Sequence, residues 1–508
     1  MPIPKNDLAA LEIRAALEGA IASVKNADFT TASGGYGYDL IGAAALLRLE
    51  TPWTDQLPRQ KSDTGLTAQW WEFMLSNGRW NSGFNVSGTA EEGKRGGQIG
   101  WSGSIRTAAF KSIALDARVT DEARLTTGGI IDPLALNQAA LLLEVKRSHH
   151  IQNLVGRSGF LLGTGNTPSV TAATSGGNLA DATYYVYVLP INGSAWQRTR
   201  GYSLNGSWAG SASTGTELVD FTRTNGDGTT TAVKGGTGIV STVTSAAISG
   251  GSGAGSLTIS WTPLQGAIAY AVFIGTASGI GNAYFQGVTT SCKYTQTAAL
   301  KTAGQVVVAA FSSDNSEDPL EYDGLLTLLL ESGSPAQYLK MANGASLSSA
   351  ANGQLDQLDA FLSYFSRTLD GYGPDDAWMS PATKVAVEKA ILSNSTASRV
   401  SYLVSTSAGG NVTPTGEVNT LRNPYGSSMS IKTDPYIPDG KIILSPRTIP
   451  SRVSSKVTTP VFFRAQQEFY GEAWPRTARS WSNGVSLVGA LCTPWRAGFA
   501  VLDNVPLS

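Results

Sequence analysis

The 508 residues contain two histidines, and they are adjacent, His149 and His150. Imidazoles are common general bases and metal ligands near neutral pH, so chemistry is sought there first. The pair lies within a stretch that reads as helix, where neighbours point about 100° apart. The two rings therefore do not converge on one metal or one substrate, and a polar helix surface or an interface is the expected role. A serine hydrolase needs a nucleophile elbow between a strand and a helix. The nearest match, Gly251-Ser252-Gly253-Ala254-Gly255, sits in a low-complexity turn. No Gly-x-x-x-x-Gly-Lys-Ser/Thr phosphate loop occurs, and the glycine-rich stretch from Gly159 to Gly165 lacks the lysine. Asp375-Asp376 and Glu91-Glu92 are paired acids, but adjacent acids in loops are expected to be solvated or to cap helices, not to flank a glycosidic bond. Cys492 sits in an apolar run and reads as a small buried hydrophobe. Asn192, Asn394 and Asn411 begin glycosylation sequons, which matter only on a secretory route. The expectation is no catalytic, cofactor-binding or metal-ligating residue, no cofactor and no enzyme.

Composition narrows the classes further. The length suits two or three domains with sizeable cores. With 37 basic and 38 acidic residues the formal net charge is −1, so no global basic field advertises nucleic-acid binding. Cys292 and Cys492 are expected in different domains, which makes a structural disulfide unexpected and fits a reducing compartment. The opening MPIPKNDLAALEIRAALEG lacks the features of a signal peptide. The longest apolar runs, such as Ile41–Leu47 and Val306–Phe311, are too short to span a bilayer. A soluble protein, intracellular at synthesis and without a membrane partner, is expected.

The elements that would position these residues fall into two kinds. Phe160–Asn166 reads FLLGTGN and Pro319–Leu326 reads PLEYDGLL, and between them the composition changes. Thr164–Asp318 is rich in Gly, Ser, Thr and Ala and holds 6 basic and 7 acidic residues, against 31 of each elsewhere. That contrast reads as an all-β module inserted into a loop of an α+β host, which requires the two ends of the module to lie close together. In the host, Asp7 can cap a helix carrying Ile13, Leu17, Ile21 and Val24 on one face. Ala32–Arg59 reads as an irregular arm. Lys61–Leu125 reads as an extended hairpin with its tip at Gly93–Gly97, and its returning limb Ser104–Val119 is a mixed strand or helix signal. Asp132-Pro133 opens a long helix through Leu134, Leu141, Val145 and Leu154. After the insert, Tyr322–Glu331 reads as a short helix. Leu355, Leu358, Leu362, Phe365 and Leu369 step as an amphipathic helix, and Ser380-Pro381 opens another over Ala382–Leu392. The turn Pro438-Asp439-Gly440 leads into the strand Lys441–Leu444, and Val485–Cys492 and Gly498–Val505 read as adjacent strands.

Taken in order, these host segments resemble the major capsid proteins of tailed bacteriophages, with the Hong Kong 97-type coat fold. LLGTGN leading to YDGLL, the strand DPYIPDGKIILSP and the return FYGEAWPRTARSWSNGVSLVGALCTPWRAGFAVLDN at Phe469–Asn504 carry the resemblance over about two thirds of the chain, 1–163 and 319–508. It implies an N-terminal arm at 1–60, an extended loop at 61–125, a spine helix and peripheral domain at 126–163, and an axial domain with return to the peripheral domain at 319–508. The insert, 164–318, resembles fibronectin type III-like and immunoglobulin-like modules through LTISWTPLQGAIAYAVFI, with Trp261, Pro263, Ala267 and Tyr270 at core positions. There Tyr270, Val272 and Ile274 alternate as a half-buried strand, Val306–Ala310 offers another, and Tyr184–Leu189 followed by Asn192-Gly193 reads as a hairpin, together a β-sandwich.

The resemblance implies a shell subunit that self-assembles into the pentamers and hexamers of an icosahedral head enclosing double-stranded DNA. Portal, scaffolding or decoration proteins would be its partners, the genome would be contacted non-specifically, and the virion, assembled in the host cytoplasm, would be its location. Some members crosslink a loop lysine to an asparagine of a neighbouring subunit. No asparagine or activating acid is identified here, so Lys94, Arg95 and Lys111 are read as inter-subunit ion-pair residues. Trp70, Trp71, Trp80 and Trp101 crowd the same loop and suggest burial against another chain. The competing readings are a β-sandwich adhesin or carbohydrate-binding protein, and an encapsulin-like compartment.

Overall fold

The structure, a computed structural model, describes residues 36–39, 51–73, 103–127, 133–200, 214–348, 355–393, 404–406, 412–414 and 419–507, apart from gaps of one to three residues within those stretches. The expected helix at Asp7–Val24, the loop tip with Glu91, Glu92, Lys94 and Arg95, and Trp80, Trp101, Asp132, Asn394 and Asn411 lie outside the described residues. The chain is of mixed α+β class.

A Leu- and Ala-rich run of strong helix formers, opened by Pro133, makes the longest described helix, the spine Pro133–Val155. It packs on a five-stranded sheet, where the resemblance expects the peripheral domain and so called peripheral, in which the long antiparallel pair Phe462–Ala473 and Ser480–Cys492 is flanked by Lys111–Thr120 on one side. Tyr36–Asp39 and Arg59–Lys61 pair along the other side. Leu141, Leu142 and Val145 of the spine share a core with Ile113, Val485, Leu487 and Leu491 of the sheet. The limb that gave a mixed signal is two strands, Gly103–Ala109 and Lys111–Thr120. The first pairs with Thr67–Phe73 as the root of a hairpin. Lys111 thus starts a peripheral strand, and its Nζ donates to Pro319 O at 2.5 Å within the same chain.

A six-stranded sheet, where the resemblance expects the axial domain and so called axial, runs Gln337–Lys340, Ala500–Asp503, Ile442–Ser445, Asp376–Met379, Met429–Thr433, Thr420–Leu421. Helices Asp356–Thr368 and Pro381–Ser393 accompany it, and Leu355, Leu358, Leu362, Phe365 and Leu369 are buried in its core. Ser380 Oγ accepts the Thr383 N–H at 3.2 Å and so caps the second helix. The two C-terminal runs expected side by side belong to different sheets. Ser480–Cys492 is peripheral and Ala500–Asp503 axial, because the turn Arg496–Gly498 redirects the chain between them.

Within the insert, Ser169–Ala173, Ser256–Ser260 and Lys293–Gln296 form one sheet. Thr244–Ile248, Ala182–Ile191, Ala269–Gly275 and Tyr284–Thr289 form a second. Leu257 and Ile259 from the first share a core with Val186, Val188, Tyr270, Val272 and Ile274 from the second. Trp261 lies in that core, edge-on to Tyr270 with ring centroids 5.3 Å apart. Two local readings are corrected. Asn192-Gly193 is no hairpin turn: Asn192 Oδ1 accepts the Ala195 N–H at 2.8 Å and caps the helix Gly193–Thr199. Around Val306–Ala310 the chain forms a 3-10 turn, Val308–Phe311, with only an isolated bridge from Val307 to Tyr284. The second sheet is also buried on both sides. Ala269, Ala271 and Phe273 face a different core, one that runs unbroken through Trp196 into Ile151, Leu154 and Val155 of the spine.

Candidate functional site: the hairpin root and the sandwich seam

His149 and His150 are fully buried, which corrects the expectation of a helix surface. They also belong to one connected network, although they point to different partners. His150 Nδ1 lies 2.7 Å from Thr54 Oγ1, and its Nε2 lies 3.0 Å from Asp434 Oδ2. His149 Nδ1 lies 3.1 Å from the Tyr322 hydroxyl, which donates to Asn153 Oδ1 at 2.9 Å. Asn153 Nδ2 closes the network, 3.4 Å from Thr54 Oγ1. A hydroxyl, an imidazole and a carboxylate in series is the arrangement of an activated nucleophile. Here Thr54, His150 and Asp434 are all buried, so no substrate can reach the hydroxyl. Burial, reinforced by Arg59, holds His149 well below the usual imidazole range, so it stays neutral. The network joins the spine to the Pro52–Asp55 helix, through Tyr322 to the coil that precedes the helix Leu325–Leu330, and through Asp434 to the segment after the strand Met429–Thr433.

The other chemical candidates are equally occupied. A cleft of about 360 Å³ is lined by Trp53, Trp378, Pro446, Arg447 and Asp376 among others. Asp376 on its wall is held by Arg447 Nη2 at 2.6 Å and Lys432 Nζ at 3.1 Å, and Asp375 accepts the Arg447 N–H at 2.8 Å. Both acids are thus taken up in ion pairs and hydrogen bonds within the chain. Cys292 and Cys492 are buried, unpaired and in separate cores, and burial pushes each thiol up to about 12. Among the described residues no three His, Cys, Asp or Glu side chains group as a metal site would need.

What the sequence did not signal is how two appendages are fastened. At the hairpin root, Ala68, Trp70 and Glu72 alternate inward while Gln69 and Trp71 face out. Ala68 and Trp70 pack with Phe462, Ala490 and Cys492. Glu72, Glu331, Arg106 and Arg496 form a closed square of charges. Arg496 grips Glu72 through Nε at 2.5 Å and Nη2 at 3.1 Å, and reaches Glu331 at 2.6 Å. Arg106 makes the other two sides, at 3.3 Å to Glu72 and 2.6 Å to Glu331. Arg496, Glu72 and Glu331 are buried, so the pairs are desolvated and the geometry is fixed by bidentate forks. The outward side of the same hairpin is open and carries large apolar residues among Thr67, Gln69 and Thr107. Trp71 and Ile105 are cross-strand partners, 47% and 66% exposed, and Leu66 is 81% exposed.

The β-rich segment 164–318, expected from the sequence to be a sandwich, is fastened at three places. The helix Gly193–Thr199 meets the end of the spine so closely that a Cβ on Gly193 would sit 2.1 Å from Val155 Cβ, which only glycine permits. Where the chain leaves the insert, side-chain oxygens accept backbone N–H groups of the incoming segment. Asp314 binds Gly163 at 2.6 Å, Ser316 binds Leu162 at 2.9 Å, Glu321 binds Arg157 at 3.0 Å and Asp323 binds Ser158 at 2.7 Å. The two ends are thus a hydrogen bond apart. At the third place the axial strands engage the sandwich. Buried Lys441 pairs with Asp503 and reaches Ala267 O at 3.3 Å, while Asn504 Oδ1 accepts the Cys292 N–H at 2.8 Å. Asn504 holds a left-handed backbone, φ 60°, which asparagine tolerates better than most residues.

No protein-family model matches the sequence, and no curated protein matches it at a significant level. Among solved structures, the holo-SrpI encapsulin complex from Synechococcus elongatus aligns at 9% identity and TM-score 0.37, covering 96% of each chain. The capsid of cyanophage A-1(L) aligns at 9% identity and TM-score 0.37, covering 90% of this chain and 93% of that one. The capsid of a native GTA particle aligns at 9% identity and TM-score 0.35, covering 96% and 98%.

Proposed function

We propose that this chain is the shell subunit of an icosahedral, tailed-phage head, assembling as pentamers and hexamers around double-stranded DNA. One observation carries the reading furthest: a hairpin whose inner side is anchored by buried charges and whose outer side offers Leu66, Trp71 and Ile105 to water. A monomer gains nothing by rigidly presenting such a surface, whereas a subunit that clamps onto a copy of itself needs it. The order of elements supports the same reading, with hairpin, spine helix, most of the axial strands and then the return to the peripheral sheet following one another as the sequence resemblance implies. The near-neutral balance of 37 basic and 38 acidic residues suits a wall that must enclose DNA without gripping it. Portal, scaffolding and decoration proteins would complete the head in the host cytoplasm.

In this reading the insert is an immunoglobulin-like module on the outer face, since packed genome leaves little room inside. Negative-stain microscopy of the purified full chain, with nucleic-acid and protein analysis of the particles, tests the proposal. Closed shells are expected. Monomers would favour an adhesin, and shells holding a protein cargo would favour an encapsulin-like compartment.

A further inference from the structure

Glu321 sits at the centre of the clasp that joins the ends of the insert, and it is 1% exposed. Its Oε2 receives two hydrogen bonds, from Arg157 N–H at 3.0 Å and from Ser194 Oγ at 2.7 Å. Among the described residues no cation forms an ion pair with it. The two nearby guanidiniums give their hydrogen bonds to other groups, and the Arg198 charge, which favours the ionised carboxylate, does not offset burial and Asp318. From the helix Gly193–Thr199, Arg198 donates to the carbonyls of Lys234 and Gly235. From the end of the spine, Arg157 donates to those of Phe160 and Gly266. The remaining charges around it are largely acidic. Asp318 is beside it on its own segment, Glu217 and Asp220 act on Arg198 from in and just beyond the later turn Thr216–Leu218, and Asp220 is paired with Lys234 at 3.0 Å. Burial first, and Asp318 second, push the Glu321 carboxyl up to about 7. Burial raises Asp318 and Asp323 as well.

We propose that this junction is a proton-operated joint: it is closed while Glu321 carries a proton, and it loosens when the carboxyl ionises, releasing the ends of the insert from the spine. A protonated carboxyl still accepts the Arg157 N–H and can donate to Ser194 Oγ, so neutralisation sacrifices no hydrogen bond. Ionisation instead leaves a buried charge with no cation in contact and an acidic neighbour, which disfavours the closed arrangement. The sign follows from linkage. The folded-state value lies above the ordinary 4.5, so the stabilisation is fully present below pH 4.5 and is lost as pH rises through about 7. The joint requires only the folded subunit and does not depend on the shell reading.

Hydrogen exchange on the full-length protein tests it, read as protection factors for the peptide spanning Arg157–Gly163 after correction for intrinsic rates. In the unmodified chain protection is expected to fall roughly tenfold between pH 6 and pH 8.5, one pKa unit being a factor of ten. Glu321→Gln, which keeps an acceptor for Arg157 and a donor for Ser194, should hold the pH 6 protection throughout. Ser194→Ala removes a donor that favours the ionised carboxyl, so its transition should move to higher pH. Flat protection in the unmodified chain, an unchanged slope in Glu321→Gln, or an unmoved transition in Ser194→Ala would each overturn the joint.

Discussion

The hairpin root and the sandwich are fastened to the same body by different chemistry. The hairpin is held by a small apolar cluster around Ala68 and Trp70 and by four charges from distant parts of the chain, in forks that tolerate one geometry. The sandwich is held by a core that passes without interruption from Phe273 through Trp196 to the spine, with polar contacts only at its margins. Apolar burial is strong and non-directional, so it secures attachment. Desolvated charge pairs add little net stability over an apolar replacement but lose much when one partner is removed. The difference suggests what each part must do. In the proposed shell a hairpin that meets another subunit must leave its root at a fixed angle, and a square of bidentate pairs is suited to set that angle. The sandwich needs only to stay attached.

That contrast is broken most severely at the sandwich. Trp196 is 4% exposed in the shared core, and Trp196→Asp would bury an unpaired charge there. A loss of several kcal/mol is expected, on the order of the whole stability of a domain, and soluble yield with circular dichroism would read it. For the same reason Thr167–Asp318 expressed alone is expected to be insoluble, since excision bares Ile191, Ala195 and Trp196. A Gly/Ser linker in its place should destabilise the host by baring Val155. A soluble, cooperatively melting excised fragment would show that the core is divisible at the seam.

Next in size is the histidine network. His149→Ala with His150→Ala leaves Asp434 buried without its imidazole, and about 3–5 kcal/mol should be lost in a urea titration of the full chain. An unchanged midpoint would mean that the pair carries no structural weight. At the hairpin root, Arg496→Met is expected to cost about 3–5 kcal/mol, since it strands Glu72 and Glu331 together. Arg106 is a quarter exposed, so Arg106→Gln should cost no more than about 1 kcal/mol. Equal losses at the two arginines would mean that the square does not act as drawn.

Sequence reading reached the parts of this molecule whose signal is local. The leucine series at Leu355–Leu369 steps at helical spacing, and its burial follows from that spacing alone. Trp261 closes the strand Ser256–Ser260 and Tyr270 lies in the next strand along the chain, in the facing sheet, and they share one core. Asn192-Gly193 misled because the asparagine side chain that favours a tight turn is the same one that caps a helix. The strand Ala269–Gly275 was read as buried on one side through Tyr270, Val272 and Ile274. Its alternate residues, Ala269, Ala271 and Phe273, are also apolar, a pattern that fits burial on both sides and pointed to a second partner. The histidines and the charge square left no local trace. His150 meets Asp434 across 284 residues and Arg496 meets Glu72 across 424, distances over which spacing carries no information.

The smallest effect on stability is the sharpest test of the contrast. Trp71 and Ile105 stand on the open side of the hairpin, directly across from one another, and neither belongs to a buried core. Replacing both with serine removes exposed apolar area and breaks no hydrogen bond or ion pair assigned to their side chains. The isolated subunit should therefore keep its urea midpoint to within about 0.5 kcal/mol. If that surface meets a second copy, the same double variant loses a cross-strand aromatic anchor of the kind that dominates interfaces. Sedimentation should then show subunits where the unmodified chain gives shells. Arg496→Met, by contrast, should lower stability and assembly together, since it releases the root that aims the hairpin. Shells of normal size from the double serine variant would place the subunit contact elsewhere and leave the open face of the hairpin without a role.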